Sequence, residues 1–176
     1  MKIFIIVGMP AAGKNIARAY AENNGIAYFA SGDIVRETVR ERGLDPDADS
    51  MASVSTQLRG SDGLGVTRRV LAAALASGGD KAFMEGMRSW QEIELARSEA
   101  SCVVVAFLAP RLLRLSRIIA RARSDDSPAA FEERDMREIK YGAAAPIALA
   151  DEYILNTSTL EAAVASLDAI VTKYCR

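Results

Sequence analysis

The hydrophobic positions of the chain follow two rhythms. Five short runs rich in apolar residues, at 2–7 (KIFIIV), 26–30 (IAYFA), 81–84 (KAFM), 102–108 (CVVVAFL) and 152–155 (EYIL), are separated by stretches with helical periodicity. The first rhythm predicts strands and the second helices, in the order βαβαβ. Several strand runs are continuously apolar instead of alternating, which predicts strands buried on both faces, as in a parallel sheet covered by helices. The predicted fold class is α/β with three layers. A helix is predicted over 13–24, with Ile16, Ala17, Tyr20 and Ala21 as its apolar stripe and Gly25 able to end it in a left-handed conformation. A second stripe runs through Ile34, Val35, Thr38 and Val39. The segment 45–66, dense in Gly, Asp and Ser, is the weakest core candidate, and a short helix between mobile loops is expected there.

Composition narrows the classes of function. A chain of 176 residues, half of them apolar, buries one substantial core, so a single domain over 1–176 is expected. There is no run of 18 uncharged apolar residues, and KIFIIVG is too short for a span and has no cleavage site, so a soluble, cytoplasmic protein is expected. Cys102 and Cys175 fit reduced thiols better than a disulfide or zinc framework. The absence of histidine excludes a His-based triad or a His-ligated metal. A net charge of −1 and a pI of about 5.6 argue against a nucleic-acid or membrane partner. The cations are 17 Arg against 5 Lys, and Arg is the residue whose planar fork grips phosphate or carboxylate at two points. Base composition of the genome accounts for such a bias equally well, so position must decide.

Four constellations carry candidate chemistry. Residues 8–15, GMPAAGKN, follow the first strand and open the first helix, and match the phosphate-cradling pattern G-x-x-x-x-G-K-[S/T] except at Asn15, which replaces a hydroxyl residue. Gly8 and Gly13 permit backbone angles that turn successive N–H groups toward one anion, Lys14 adds a charge, and the helix N-terminus adds its dipole. The chain's own Gly and Lys frequencies give roughly 0.02 chance matches to this spacing. Phosphate is expected there.

SGDIVR, 31–36, follows the second strand at the carboxyl edge, where open α/β sheets collect ligands. Ser31 and Asp33 also suit a helix start on capping and dipole grounds alone, while Arg36 faces Arg40 in a like-charge pair. MEGMR, 84–88, ends the third strand with Glu85 and then Arg88, although charges at strand ends often simply meet water. In PRLLRLSRIIARAR, 110–123, Arg114, Arg117 and Arg121 share a helix face, and Leu112, Leu115, Ile118 and Ile119 are expected to supply the buried one. The five arginines of this stretch repel one another unless an anion or the nearby Asp125 and Asp126 neutralises them. A triphosphate suits that role; a basic surface helix for membranes or partners and a solvated face are the alternatives.

With these residues assembled, the sequence resembles a P-loop nucleoside monophosphate kinase over nearly its whole length. Within that group it is similar to an archaeal family described as adenylate-kinase-related or dephospho-CoA-kinase-like. The resemblance implies a five-stranded parallel sheet of order 2-3-1-4-5, helices on both faces, an acceptor-binding insert at about 31–80 and a short lid at about 121–140. It implies ATP and Mg²⁺ as cofactors, with ATP held by Gly8, Met9, Pro10, Ala11, Ala12, Gly13, Lys14, Asn15 and Ile16, by Arg121, and by Asn156 of ADEYILNTSTLE near the adenine. An AMP-like acceptor falls to Ser31, Gly32, Arg36, Arg59 and Arg88. Asn15 and Glu85 fall to the metal, and Lys14, Arg117, Arg121, Arg123 and Arg134 to the phosphates in the reaction. Asp33 is a base if the acceptor is a hydroxyl, as in dephospho-CoA. Two departures, Asn15 for a hydroxyl and Glu85 for Asp, leave a nucleotide-binding module with little turnover as the rival reading.

Overall fold

The predicted alternation is realised as an all-parallel sheet with helices on both faces. The computed structural model describes residues 1–121 and 126–175. In chain order the elements are β1 (Lys2–Val7), α1 (Asn15–Asn23), β2 (Ala27–Ala30), α2 (Ser31–Glu41), α3 (Ala48–Arg59), α4 (Gly65–Ala76) and β3 (Lys81–Glu85). There follow α5 (Trp90–Glu99), β4 (Ser101–Leu108), α6 (Arg111–Arg121), α7 (Pro128–Lys140), α8 (Ala144–Ala148), β5 (Glu152–Leu155) and α9 (Leu160–Tyr174). The five strands lie in the order β2-β3-β1-β4-β5, each pair parallel. Among the described residues no helix is long and apolar enough to cross a membrane.

The central strand shows why its sequence does not alternate. Ile3, Ile5 and Val7 enter the core beneath α2 to α5, whereas Phe4 and Ile6 enter the core beneath α1 and α9. Both faces are dry, so every position from Ile3 to Val7 is apolar and at most 3% exposed. Each such side chain contributes about 1.5–3 kcal/mol by leaving water. At the end of α1, Gly25 takes the left-handed conformation expected of it, with φ of 62°.

Three local expectations need correction. In the segment 45–66, α3 is a full 12-residue helix, capped by the Asp47 carboxylate on the Ser50 N–H at 2.8 Å. Val54 and Leu58, one turn apart, are its buried anchors, with Met51 packed beside them, and the Ser- and Asp-rich outer face hides its period. Ser31 does not cap α2. The cap position is Ala30, and the Ser31 hydroxyl donates instead to the Glu85 carbonyl at 3.3 Å, tying the start of α2 to the end of β3. On α6 the assignment of faces is partly reversed. Ile118 is buried as expected, but Arg114 is buried too, while Leu112 and Ile119 are 77% and 53% exposed. Arg114 lies inside because it meets the Asp135 carboxylate through two bonds of 2.7 Å and the face of Phe131 at 5.1 Å, partners that α7 supplies.

Candidate functional site

The topology fixes where ligands belong. The connection leaving β1 runs toward β2 at one edge and the connection leaving β3 runs toward β4 on the other side, so the carboxyl ends of the neighbours β1 and β3 form the switch point of the sheet. At that point stand the loop 8–14 after β1 and Glu85 at the end of β3.

The loop is held from behind. At Gly8, with φ of 148°, an added Cβ would lie 2.6 Å from the Phe107 carbonyl oxygen; at Gly13, with φ of 109°, it would lie 2.0 Å from Asn156 Nδ2. Neither position tolerates a side chain. The carbonyls of three consecutive loop residues are each taken by a donor. Arg114 donates to Pro10 O at 3.0 Å, Arg117 to Ala11 O at 3.2 Å, and Asn156 Nδ2 to Ala12 O at 2.8 Å. Arg117 also donates to Asn156 O at 2.8 Å, so the two braces are joined. Ala11 itself sits at φ of 60°, a strained conformation for a residue with a Cβ, and these contacts hold it there. Nothing in the spacing of the arginines signals that Arg114 and Arg117 serve the loop backbone.

Three cavities run along the carboxyl edge. The first, about 340 Å³, is lined by Pro10, Ala11, Gly13, Lys14 and Asn15 from the loop and by Arg117, Arg121 and Arg134 above it. Arg121 and Arg134 both reach the Asp126 carboxylate, through bonds of 2.7 and 2.9 Å from Arg121 and one of 3.0 Å from Arg134. The second, about 220 Å³, lies between Gly8, Lys14, Glu85, Arg88 and Glu138. The third, about 590 Å³, is lined by Ser31, Gly32, Arg59, Arg88, Arg137 and Tyr141, with Val35, Met51 and Val66 as apolar wall. Lys14 belongs to the first two cavities and Arg88 to the last two, which makes one row.

Lys14 Nζ donates to Gly8 O at 3.0 Å and stands 3.9 Å from Glu85 Oε1. Burial pulls its ammonium below the ordinary lysine range, and the carboxylates of Glu85 and Glu138 oppose that shift. Glu85 Oε2 accepts from the Tyr28 hydroxyl at 2.7 Å. Burial first, then the Glu85 charge, pushes the Tyr28 phenol above its usual range, so it stays a donor. Arg88 pairs with Glu138 at 2.9 Å, and Arg59 and Arg88 both lie over the ring of Tyr141, at 5.9 and 5.4 Å.

Several expected residues are placed elsewhere. Asp33 lines none of these three cavities; its carboxylate accepts from Arg18 at 2.6 Å and from Arg36 at 2.8 Å, so Arg36 is also turned aside. Asn156 is buried beneath the loop, Ala12 is buried, and Ile16 packs toward the core under α1. Met9 faces a separate apolar hollow with Met136 and Ile139. Arg123 and Asp125 lie outside the described residues. Tyr28, Glu138, Arg137 and Tyr141 were missed by sequence reasoning. The one signal available for the α7 pair was the spacing of Arg134 and Arg137, three residues apart and on one face.

The residues present suit a magnesium ion that arrives with a nucleotide. Mg²⁺ takes one or two protein oxygens and completes its shell with phosphates and water. Glu85 offers a carboxylate at the switch point and Asn15, exposed at the first position of α1, offers an amide oxygen. Among the described residues no group of three or more His, Cys, Asp or Glu gathers as a closed metal site.

No family model matches the chain. It is 35% identical over 181 residues to the UPF0200 protein of Methanosarcina barkeri, covering 100% of this chain and 97% of the relative. Its fold is similar to the crystal structure of TT1252 from Thermus thermophilus, with a TM-score of 0.66, 18% identity and coverage of 97% and 96% of the two chains. It is also similar to a shikimate kinase from Acinetobacter baumannii solved with shikimate, with a TM-score of 0.58, 17% identity and coverage of 99% and 95%. At such identities these structures speak for the fold, which is that of P-loop kinases. The sequence relationship goes further, and the chain belongs to the UPF0200 family.

Proposed function

We propose that the chain transfers the γ-phosphoryl group of ATP to the phosphate of an AMP-like nucleotide. The observation that carries this reading is the charge of the third cavity, which gathers Arg59, Arg88 and Arg137 and has no carboxylate to spare. Its one lining acid, Glu92, accepts from the Thr67 hydroxyl, from the N–H groups of Arg88 and Ser89, and from the Ser89 hydroxyl, at 2.7, 2.7, 2.9 and 3.3 Å. A hydroxyl acceptor needs a base, and Asp33 is engaged elsewhere by two guanidinium groups. An ionised phosphate needs none.

In this reading the loop amides and Lys14 hold the ATP phosphates in the first cavity, with Arg117, Arg121 and Arg134 facing them. Glu85 and Asn15 would hold a Mg²⁺ ion that arrives with the nucleotide, and the ion would supply positive charge to offset that of the phosphates. An acceptor phosphate oxygen forms the new P–O bond, the bond from γ-phosphorus to the β–γ bridging oxygen breaks, and ADP leaves. Lys14 and Arg88 both line the second cavity and offset the charge spread over the transferring group. The apolar wall of Val35, Met51 and Val66 and the hydroxyls of Ser55 and Thr56 suit the nucleoside part of the acceptor.

The division of the site is testable by calorimetry on two arginines. Arg88→Ala is expected to weaken AMP by about 1.5–3 kcal/mol, the loss typical of a hydrogen bond to a charged group, while moving ATP far less. Arg36→Ala is expected to have the smaller effect on AMP, because Arg36 already serves Asp33. Equal losses of AMP and ATP in Arg88→Ala contradict the assignment of the third cavity to the acceptor.

A further inference from the structure

We propose that Tyr28 is a positioning residue for Glu85, and that the tether between them is why a glutamate stands where this site would otherwise take an aspartate. The inference rests on the reading of Glu85 as the carboxylate that meets the nucleotide's metal. In the parallel pairing of β2 with β3, Tyr28 is opposite Phe83 and Ala30 is opposite Glu85. Tyr28 and Glu85 are therefore diagonal neighbours on one face, a separation of roughly 7–8 Å that only long side chains bridge. A phenol and a glutamate meet across it at 2.7 Å. An aspartate, one methylene shorter, falls short of the hydroxyl.

The tether answers a mechanical problem. Glutamate has one more rotatable bond than aspartate and holds its carboxylate less firmly unless something fixes it. Tyr28 is itself fixed, stacked on Phe83 with ring centroids 6.2 Å apart and covered by the Arg18 guanidinium at 4.5 Å. Arg18 is held in turn by Asp33 at 2.6 Å. With Oε2 taken by Tyr28, Oε1 is the oxygen turned toward Lys14 and the second cavity. Asp33, which lines none of the three cavities, acquires a role here: it holds the cation that holds the ring.

The test uses the full chain as Tyr28→Phe, Glu85→Asp and the double variant, with ATP binding measured by calorimetry in a Mg²⁺ titration and without metal. Tyr28→Phe keeps the stacked ring and removes only the hydroxyl. It is expected to raise the Mg²⁺ needed for half-maximal ATP binding about tenfold, the loss usual when a partner behind a metal ligand is removed, with metal-free affinity within about twofold of wild type. Glu85→Asp supplies an independent route, since its carboxylate no longer reaches Tyr28. The double variant is expected to be no worse than the poorer single, because both remove one contact. An unchanged Mg²⁺ requirement in Tyr28→Phe, equal losses with and without metal, or additive effects in the double each overturn the proposal. If wild type transfers phosphate while Tyr28→Phe keeps the wild-type requirement, only the tether is lost; if wild type binds no ATP, the functional reading falls with it.

Discussion

Replacing Lys14 with alanine is expected to lower ATP affinity by more than tenfold and leave the fold intact. The expectation follows from where the ammonium spends its bonds. It touches the carbonyl of Gly8 and stands near Glu85, contacts of the loop and the cavity, and it belongs to neither apolar core. Lys14 lines both the first and the second cavity, so in the proposed function it meets phosphate on the donor side and at the point of transfer. Tenfold corresponds to about 1.4 kcal/mol, at the low end for a charge-assisted contact, and the Glu85 carboxylate left without its cation adds to the loss by repelling the triphosphate. Calorimetry with ATP and a thermal melt separate binding from folding. Unchanged ATP affinity removes the basis of the functional reading.

The largest effect on stability is expected at Asp135. Asp135→Ala leaves the Arg114 guanidinium buried, 6% exposed, with the Pro10 carbonyl at 3.0 Å and the face of Phe131 at 5.1 Å but no carboxylate against it. Removing one member of a buried ion pair costs about 3–5 kcal/mol, because the remaining charge is neither solvated nor paired. Arg111, 3.8 Å from Asp135, loses its neighbour as well. A double replacement, Arg114→Met with Asp135→Leu, is expected to recover most of that stability, since apolar residues of similar size fill such a site at little cost. It is not expected to recover nucleotide affinity fully, because the Pro10 carbonyl loses its brace. Denaturant midpoints of the three variants decide the first point and ATP titrations the second. A single variant as stable as wild type shows that the pair is not a support of the fold.

The parts of the site legible in the sequence are those written contiguously. GMPAAGKN, Glu85 and Arg88 each sit at a strand end, and the strand runs were readable because both faces of the sheet are covered, so the apolar pattern is unbroken. The parts that were not legible are assembled across distance. Tyr28 meets Glu85 57 positions away, Arg114 meets Asp135 21 positions away, and Asn156 reaches Ala12 over 144 positions. Periodicity reports which side of a helix is apolar, not which charge will find a partner there. For that reason the spacing places Arg114 in a row of arginines facing an anion, whereas it is sealed between α6, α7 and the loop. The resemblance makes Asp33 a base for a hydroxyl acceptor, and only the packing of α1 against β2 shows that Arg18 comes within reach of it.

The central claim is that the acceptor is a phosphate and not a hydroxyl. The direct measurement is ³¹P NMR of the full chain with ATP and Mg²⁺, offered in turn AMP, other nucleoside monophosphates, dephospho-CoA and small alcohols. A nucleoside monophosphate is expected to gain a phosphoryl group, with ADP formed in equal amount, while the hydroxyl acceptors remain unmodified. Preferential transfer to a hydroxyl, or no transfer to any acceptor despite tight ATP binding, contradicts it, and the latter outcome leaves a nucleotide-binding module in place of an enzyme.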